Sequence, residues 1–158
     1  MYCIDTSALI HAWRRDYPPD VFQSLWDQLD RLIKQGRLFS SIEVLLELKR
    51  GGDEIYQWAK QREHAFLDAD ATVQRVVATI VDSFPSFLPS DSPDGIWADP
   101  YIVAIAKVNG WAVVTGEKAV SPGAKRIKIP NVCQEVGVEC TEFLQLIRRE
   151  GWRFGALL

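Results

Sequence analysis

Four carboxylates stand far apart in the chain, each beside a short apolar run: Asp5, Glu47, Asp99 and Glu117. Asp5 closes the run Met1-Tyr2-Cys3-Ile4, and a carboxylate at the end of an apolar strand is costly unless something binds it. Glu117 follows a second apolar run, 111–114, closed by Thr115 and Gly116. Asp99 precedes Pro100 at the start of a predicted helix, with Asp94 as a second acid in the same loop, and Glu47 lies among Val44, Leu45, Leu46 and Leu48. Glu43 is one turn from Glu47 but has a use as a helix cap, so Glu47 is the favoured ligand. If the four converge, their repulsion raises their pKa values or recruits a cation, and oxygen-only ligation favours Mg²⁺ or Mn²⁺.

Each acid also has a plainer reading. Asp5 before Thr6-Ser7 fits a helix cap, Asp99 fits an N-cap with Pro100 at the first helical position, and Thr115-Gly116-Glu117-Lys118 fits an exposed turn. Capping and metal binding are compatible, because a carboxylate at a helix start can serve both. Ser7, Thr115, Lys118 and Trp97 complete the candidate site as substrate contacts. His11 and His64 are too few and too far from the acids along the chain to suggest a zinc site, and read as surface or packing residues.

The elements that must position these groups alternate between strand and helix. Strand 2–5 leads into a helix over 7–15 capped by Thr6 or Ser7, and Pro18-Pro19-Asp20 opens an amphipathic helix ended by Gly36. Its apolar face is Val21, Phe22, Leu25, Trp26, Leu29, Leu32 and Ile33. A short strand at Leu38-Phe39 precedes a helix over 42–50 with a Ser40/Glu43 capping box and a break at Gly51-Gly52. Helices over 53–66, capped by Asp53, and over 71–84 read as an inserted helical pair. A loop with Pro85, Pro89 and Pro93 follows, too rich in proline to be helical. Then come a helix over 100–109 stopped by Gly110, strand 111–115, a short strand at 126–129 and a last helix over 141–150.

Such alternation predicts an α/β fold with a mostly parallel central sheet flanked by helices on both faces, in which ligands bind beyond the carboxyl ends of the strands. Asp5 and Glu117 fall at those ends, and helix starts such as Asp99 meet the same edge. At 158 residues, with 47% hydrophobic and 25% charged residues, one soluble domain spanning 1–158 is the simplest expectation. No apolar run approaches a membrane span, and the N-terminus enters a strand directly, so the expected location is the cytoplasm. Cys3, Cys133 and Cys140 have neither zinc-site spacing nor an even count, and read as reduced, mostly buried thiols. A net charge of −3 makes no overall case for nucleic-acid binding, yet Lys118, Lys125, Arg126 and Lys128 lie in a stretch without an acid. That stretch is either a solvated face or a phosphate contact.

Asp5-Thr6-Ser7-Ala8-Leu9-Ile10, the helix carrying Glu47-Leu48, Asp99-Pro100-Tyr101-Ile102-Val103-Ala104-Ile105-Ala106 and Val113-Val114-Thr115-Gly116-Glu117-Lys118 together resemble the PIN-domain nucleases, most closely the small prokaryotic VapC-like toxins of toxin-antitoxin pairs. The resemblance covers nearly the whole chain. It implies a Rossmann-like sheet and an acidic pocket binding Mg²⁺ or Mn²⁺. RNA is the implied substrate, and 5′-phosphate and 3′-hydroxyl ends are the implied products. By position, Asp5, Glu47 and Asp99 match the family's three core acids, while Glu117 stands where a Thr-x-Asp pattern commonly has Asp. A cognate antitoxin and a homodimer are further expectations from the resemblance. A catalytically silent PIN fold acting in RNA binding or protein interaction is the rival reading. A haloacid-dehalogenase-type phosphatase would want a second Asp where Ser7 stands, a response receiver would want an acidic pair near the first strand, and the chain has no P-loop or GxGxxG fingerprint.

Overall fold

The run Tyr2–Ile4 is buried at every position, which suits a strand covered on both faces. In the computed structural model, which describes residues 1–89, 92, 95 and 97–155, this run forms β1. The other strands are β2 (Leu38–Ser41), β3 (Phe66–Leu67), β4 (Ala112–Val114) and β5 (Cys140–Thr141). All pairings are parallel, and the order across the sheet is β3-β2-β1-β4-β5. This is the expected α/β fold with a parallel central sheet.

Helices connect the strands: α1 (Thr6–His11), α2 (Pro19–Lys34), α3 (Ile42–Gly51), α4 (Glu54–Lys60), α5 (Ala71–Ser83), α6 (Asp99–Asn109), α7 (Ile129–Val136) and α8 (Phe143–Arg149). α1 runs on into a wider π turn at Ala12–Asp16, closed by Tyr17 N donating to Ala12 O at 2.8 Å. α6 is apolar almost all round, and Ile102 to Ala106 are fully buried, because it packs against β1, β2 and β4 and is covered by α5 and α7. Trp26 packs edge to face with both Trp13 and Trp58, and Arg62 lies 4.5 Å over the Trp58 ring while pairing with Asp30. Among the described residues no helix is long and apolar enough to cross a membrane.

Several sequence expectations are corrected. The helix expected over 53–66 stops at Lys60, and Phe66–Leu67 forms β3 beside β2; α4 packs on α3 while α5 packs on α6, so they are not an inserted pair. Residues 126–129 are not a strand: Ile129 begins α7, with Pro130 in its first turn and Gly137 left-handed at its end. The last helix starts at Phe143, after β5. Two-residue strands show no periodicity, and their pairing partners rather than their own sequence create them. A short 3₁₀ turn, Pro85–Phe87, sits in the proline-rich loop and buries Phe87; Pro93 and Asp94 lie outside the described residues. Val21, assigned to the apolar face of α2, is 68% exposed because the helix departs from helical angles at Phe22 and turns its first residues off the core.

The Ser40/Glu43 capping box is not formed. Ser40 Oγ instead donates to Ile4 O at 2.7 Å, tying β2 to β1 just below Asp5. Asp53 stands at the N-cap of α4 but pairs with Arg14 rather than capping. Replacing the buried Ser40 by Ala is expected to destabilise the fold by about 1–3 kcal/mol, the scale for losing a buried hydrogen bond, as read by urea denaturation; an unchanged midpoint would show that the bond contributes nothing net.

Candidate active site

Between β1 and β4 the strand order reverses, and that switch point opens a crevice at the carboxyl edge of a doubly wound sheet. Register does the rest. Ile4 pairs with Val114, so the next residues, Asp5 and Thr115, emerge side by side. Asp5 is only 3% exposed, and its carboxylate accepts from Ala8 N at 2.7 Å and from the Ser7 and Thr115 hydroxyls, each at 2.8 Å. Asp5 itself, not Thr6 or Ser7, is therefore the N-cap of α1.

The other three acids are also drawn to helix starts. Glu47, on α3, accepts from the Thr6 hydroxyl and from Ala98 N at 2.9 Å. Ala98 is the N-cap of α6, and Asp99 is its first helical residue rather than the cap. Glu117 accepts from Ile129 N at 2.9 Å, at the start of α7, and its own N–H donates to Thr115 Oγ1 at 3.0 Å. All four carboxylates line one open cleft of about 440 Å³, together with Ser7, His11, Arg50, Trp97 and Arg126.

Burial pushes the Asp5 carboxyl up to about 7 against the pull of its three donors, and Asp99 adds to the rise. Asp99 is raised to about 6, first by burial and then by the neighbouring Glu117 and Glu47 charges. Arg126 opposes that rise, with Nη2 at 3.0 Å from Asp99. Trp97 opposes it weakly, its indole N–H facing Asp99 without forming a hydrogen bond of good geometry.

A hard-oxygen donor set whose members repel one another fits a divalent cation in charge and in ligand type. Coordination is not closed, however: among the described residues no group of three or more His, Cys, Asp or Glu is disposed to hold a metal ion as it stands. Two of the acids are engaged elsewhere, Asp99 with Arg126 and Glu117 with Lys128 at 3.4 Å.

Of the expected substrate contacts, Trp97 and Ser7 line the acidic cleft, while the Ser7 and Thr115 hydroxyls are engaged in holding Asp5. Lys118 does not line that cleft; it pairs with Glu142 beside an adjacent cavity of about 250 Å³. His11, read from sequence as remote from the acids, lines both. The signal for it was spacing, since Ser7 and His11 are four apart on α1 and share a face. A Cβ on Gly116 would collide with the His11 ring and approach Ser7 Oγ to 3.2 Å, so the residue before Glu117 must be small. Thr6 was likewise missed as a site residue, and Arg126, read only as part of a basic stretch, lines the acidic cleft.

Residues 2–154 match the family described as a domain of unknown function (DUF4411). No curated protein matches the chain. Among solved structures, FitAB bound to an IR36 DNA fragment is similar over all of both chains, with a TM-score of 0.53 at 16% identity. FitAcB from Neisseria gonorrhoeae aligns with a TM-score of 0.52 at 19% identity, over 89% of this chain and 96% of that one. VapBC2 from Rickettsia felis, bound to a DNA fragment from their promoter, aligns with a TM-score of 0.51 at 14% identity, over 89% of this chain and 97% of that one. At these identities the likeness establishes the fold, which is the PIN-domain fold.

The raised Asp5 pKa has a definite stability consequence. The folded protein retains a proton that the unfolded chain releases above about 3.8, so stability linked to Asp5 is full below 3.8 and is lost as pH rises toward about 7. In chelator, the native protein is expected to lose more stability than Asp5→Asn between about pH 5 and about pH 8 in denaturant titrations. Parallel curves for the two proteins would rule out this role for Asp5.

Proposed function

This chain belongs to the DUF4411 family, and we propose that it is a Mg²⁺- or Mn²⁺-dependent endoribonuclease, the toxin of a toxin-antitoxin pair. The observation that carries the reading is the convergence of Asp5, Glu47, Asp99 and Glu117 on one cleft at the switch point of the sheet. A cation held there supplies Lewis-acid polarisation of the phosphodiester and activation of the attacking water.

The protein's own part is positioning and charge. Asp5, held by Ala8 N, Ser7 and Thr115, accepts from more donors than any of the other three and offers the fixed point of the ligand set. Asp99 supplies the second anchor from the first turn of α6, and Glu47, tied to the same helix start through Ala98 N, supplies the third. Glu117, in the loop after β4 and held by Ile129 N at the start of α7, supports the far side of the site. No side chain needs to act as a covalent nucleophile. Water attacks phosphorus in line with the departing 3′ oxygen, the P–O3′ bond breaks and the 3′ oxygen takes a proton. The resemblance to PIN-domain nucleases is what implies this choice of leaving oxygen, and with it 5′-phosphate and 3′-hydroxyl ends.

The likeness to the VapBC2 and FitAB structures supports a cognate antitoxin as partner, while a homodimer as the assembled state and the cytoplasm as the place of action rest on the family resemblance alone. A catalytically silent interaction module is the second reading, favoured by the pairing of Asp99 and Glu117 with basic side chains.

Incubation with labelled tRNA, rRNA fragments and single-stranded RNA is expected to give cleavage that needs Mg²⁺ or Mn²⁺ and stops in chelator. Asp5→Asn and Asp99→Asn are each expected to lower the rate by about 100-fold or more, the scale on which one lost electrostatic stabiliser acts. Cation binding without cleavage of any RNA would favour the silent module.

A further inference from the structure

The basic stretch after Glu117 returns to the acidic cleft. Arg126 Nη2 lies 3.0 Å from Asp99, and Arg126 Nε donates to Phe87 O at 3.3 Å. Two residues on, Lys128 Nζ lies 3.4 Å from Glu117. The backbone that presents them is laced in place: Asn131 on α7 donates to Val120 O at 2.9 Å and accepts from Val120 N at 3.1 Å and Lys128 N at 3.2 Å. Arg126 lines the cleft itself, and Lys128 stands at its edge beside Glu117, on a segment tethered to α7.

Their exposure differs from that of the acids. The Arg126 and Lys128 side chains are 35% and 33% exposed, against 18% for Asp99 and 18% for Glu117. The bases are thus the more exposed member of each pair and the more open to an incoming ligand. Exchanging the carboxylate for a phosphate oxygen keeps each base paired with an anion, so no cation is left uncompensated by the exchange. A guanidinium fork also matches the oxygens of a phosphate, and a cleft lined by acids alone would repel a polyanion.

Building on the ribonuclease reading, we propose that Arg126 and Lys128 form the phosphate-binding arm of this cleft. They hold Asp99 and Glu117 while no substrate is present, and they turn to the phosphodiester backbone of single-stranded RNA when it enters, releasing both carboxylates to the cation. The exchange accounts for two facts together: the acids share a cleft, yet among the described residues they form no closed ligand set. One pair of side chains serves both as a counter-charge in the free protein and as a substrate contact in the complex.

The test separates metal binding from RNA binding in the full chain. Mn²⁺ affinity is measured by titration calorimetry without RNA, and affinity for a fluorescent single-stranded RNA oligonucleotide is measured by anisotropy in chelator over a series of salt concentrations. Arg126→Ala is expected to bind Mn²⁺ more tightly than the native protein, because a competing cation is gone. It is expected to bind RNA about tenfold more weakly, with a salt slope shallower by about 0.7, the value for one lost phosphate contact on a single strand. Lys128→Ala is expected to shift both affinities the same way, and Arg126→Lys to retain most RNA binding, which guards against a folding defect in the alanine variant. RNA affinity and salt slope unchanged in Arg126→Ala, with native RNA binding intact, would overturn the arm alone. Weaker Mn²⁺ binding in Arg126→Ala would overturn the counter-charge role. Native protein that binds Mn²⁺ but no RNA would overturn the arm and the ribonuclease reading together.

Discussion

Four carboxylates around one cleft repel one another, and the fold accommodates them by bringing helix N-termini to the same edge of the sheet. Three of the four accept a backbone N–H there: Asp5 from Ala8, Glu47 from Ala98 and Glu117 from Ile129. The fourth, Asp99, opens α6 itself. Unpaired N–H groups and the positive end of the helix dipole supply partial positive charge at each place. That supply is incomplete, as the raised Asp5 and Asp99 carboxyls show, and the remaining imbalance is what a cation would relieve.

Much of the surrounding structure follows from keeping that edge in register. β1 and β4 must lie side by side for Thr115 to reach Asp5, so their buried residues Cys3, Ile4, Val113 and Val114 fix the spacing of the site from below. α6 must press against both strands for Asp99 and Ala98 to arrive beside Glu47, and its nearly uniform apolar surface makes that packing possible. Ser7 links two layers of the arrangement, donating to Asp5 and accepting from Gly116 N at 2.9 Å. The close approach of His11 at Gly116 leaves no space there for a side chain.

Long elements with strong periodicity were legible in the sequence. α2, α5 and α6 lie within a residue or so of their expected spans, and their glycine and proline boundaries were read correctly. Alternation alone predicted a mostly parallel sheet, and among the described residues every strand pairing is parallel. The failures were short or dual-natured. α7 carries Pro130 in its first turn and Gly137 after its end, a pattern that does mark a helix, yet the residues 126–129 leading into it were read as a short strand. That error hid why Glu117 is held where it is, because its partner is the first N–H of α7. Ser40 looked like a cap because serine before a helix usually is one; its partner proved to be a carbonyl 36 residues away.

What the sequence determined by itself is local: which segments alternate between buried strand and amphipathic helix, and which acids sit at their ends. Those features depend on residue type and on spacing within a few positions, so one chain suffices to read them. The tertiary structure alone decided which groups meet. Register between β1 and β4 assigned the Ser7 and Thr115 hydroxyls to Asp5, the packing of α6 joined Glu47 to Ala98, and the return of the 118–128 segment set Arg126 and Lys128 against Asp99 and Glu117. Side-chain partners separated by tens of residues carry no periodic signal, because their meeting depends on the sum of many packing contacts rather than on any local rule.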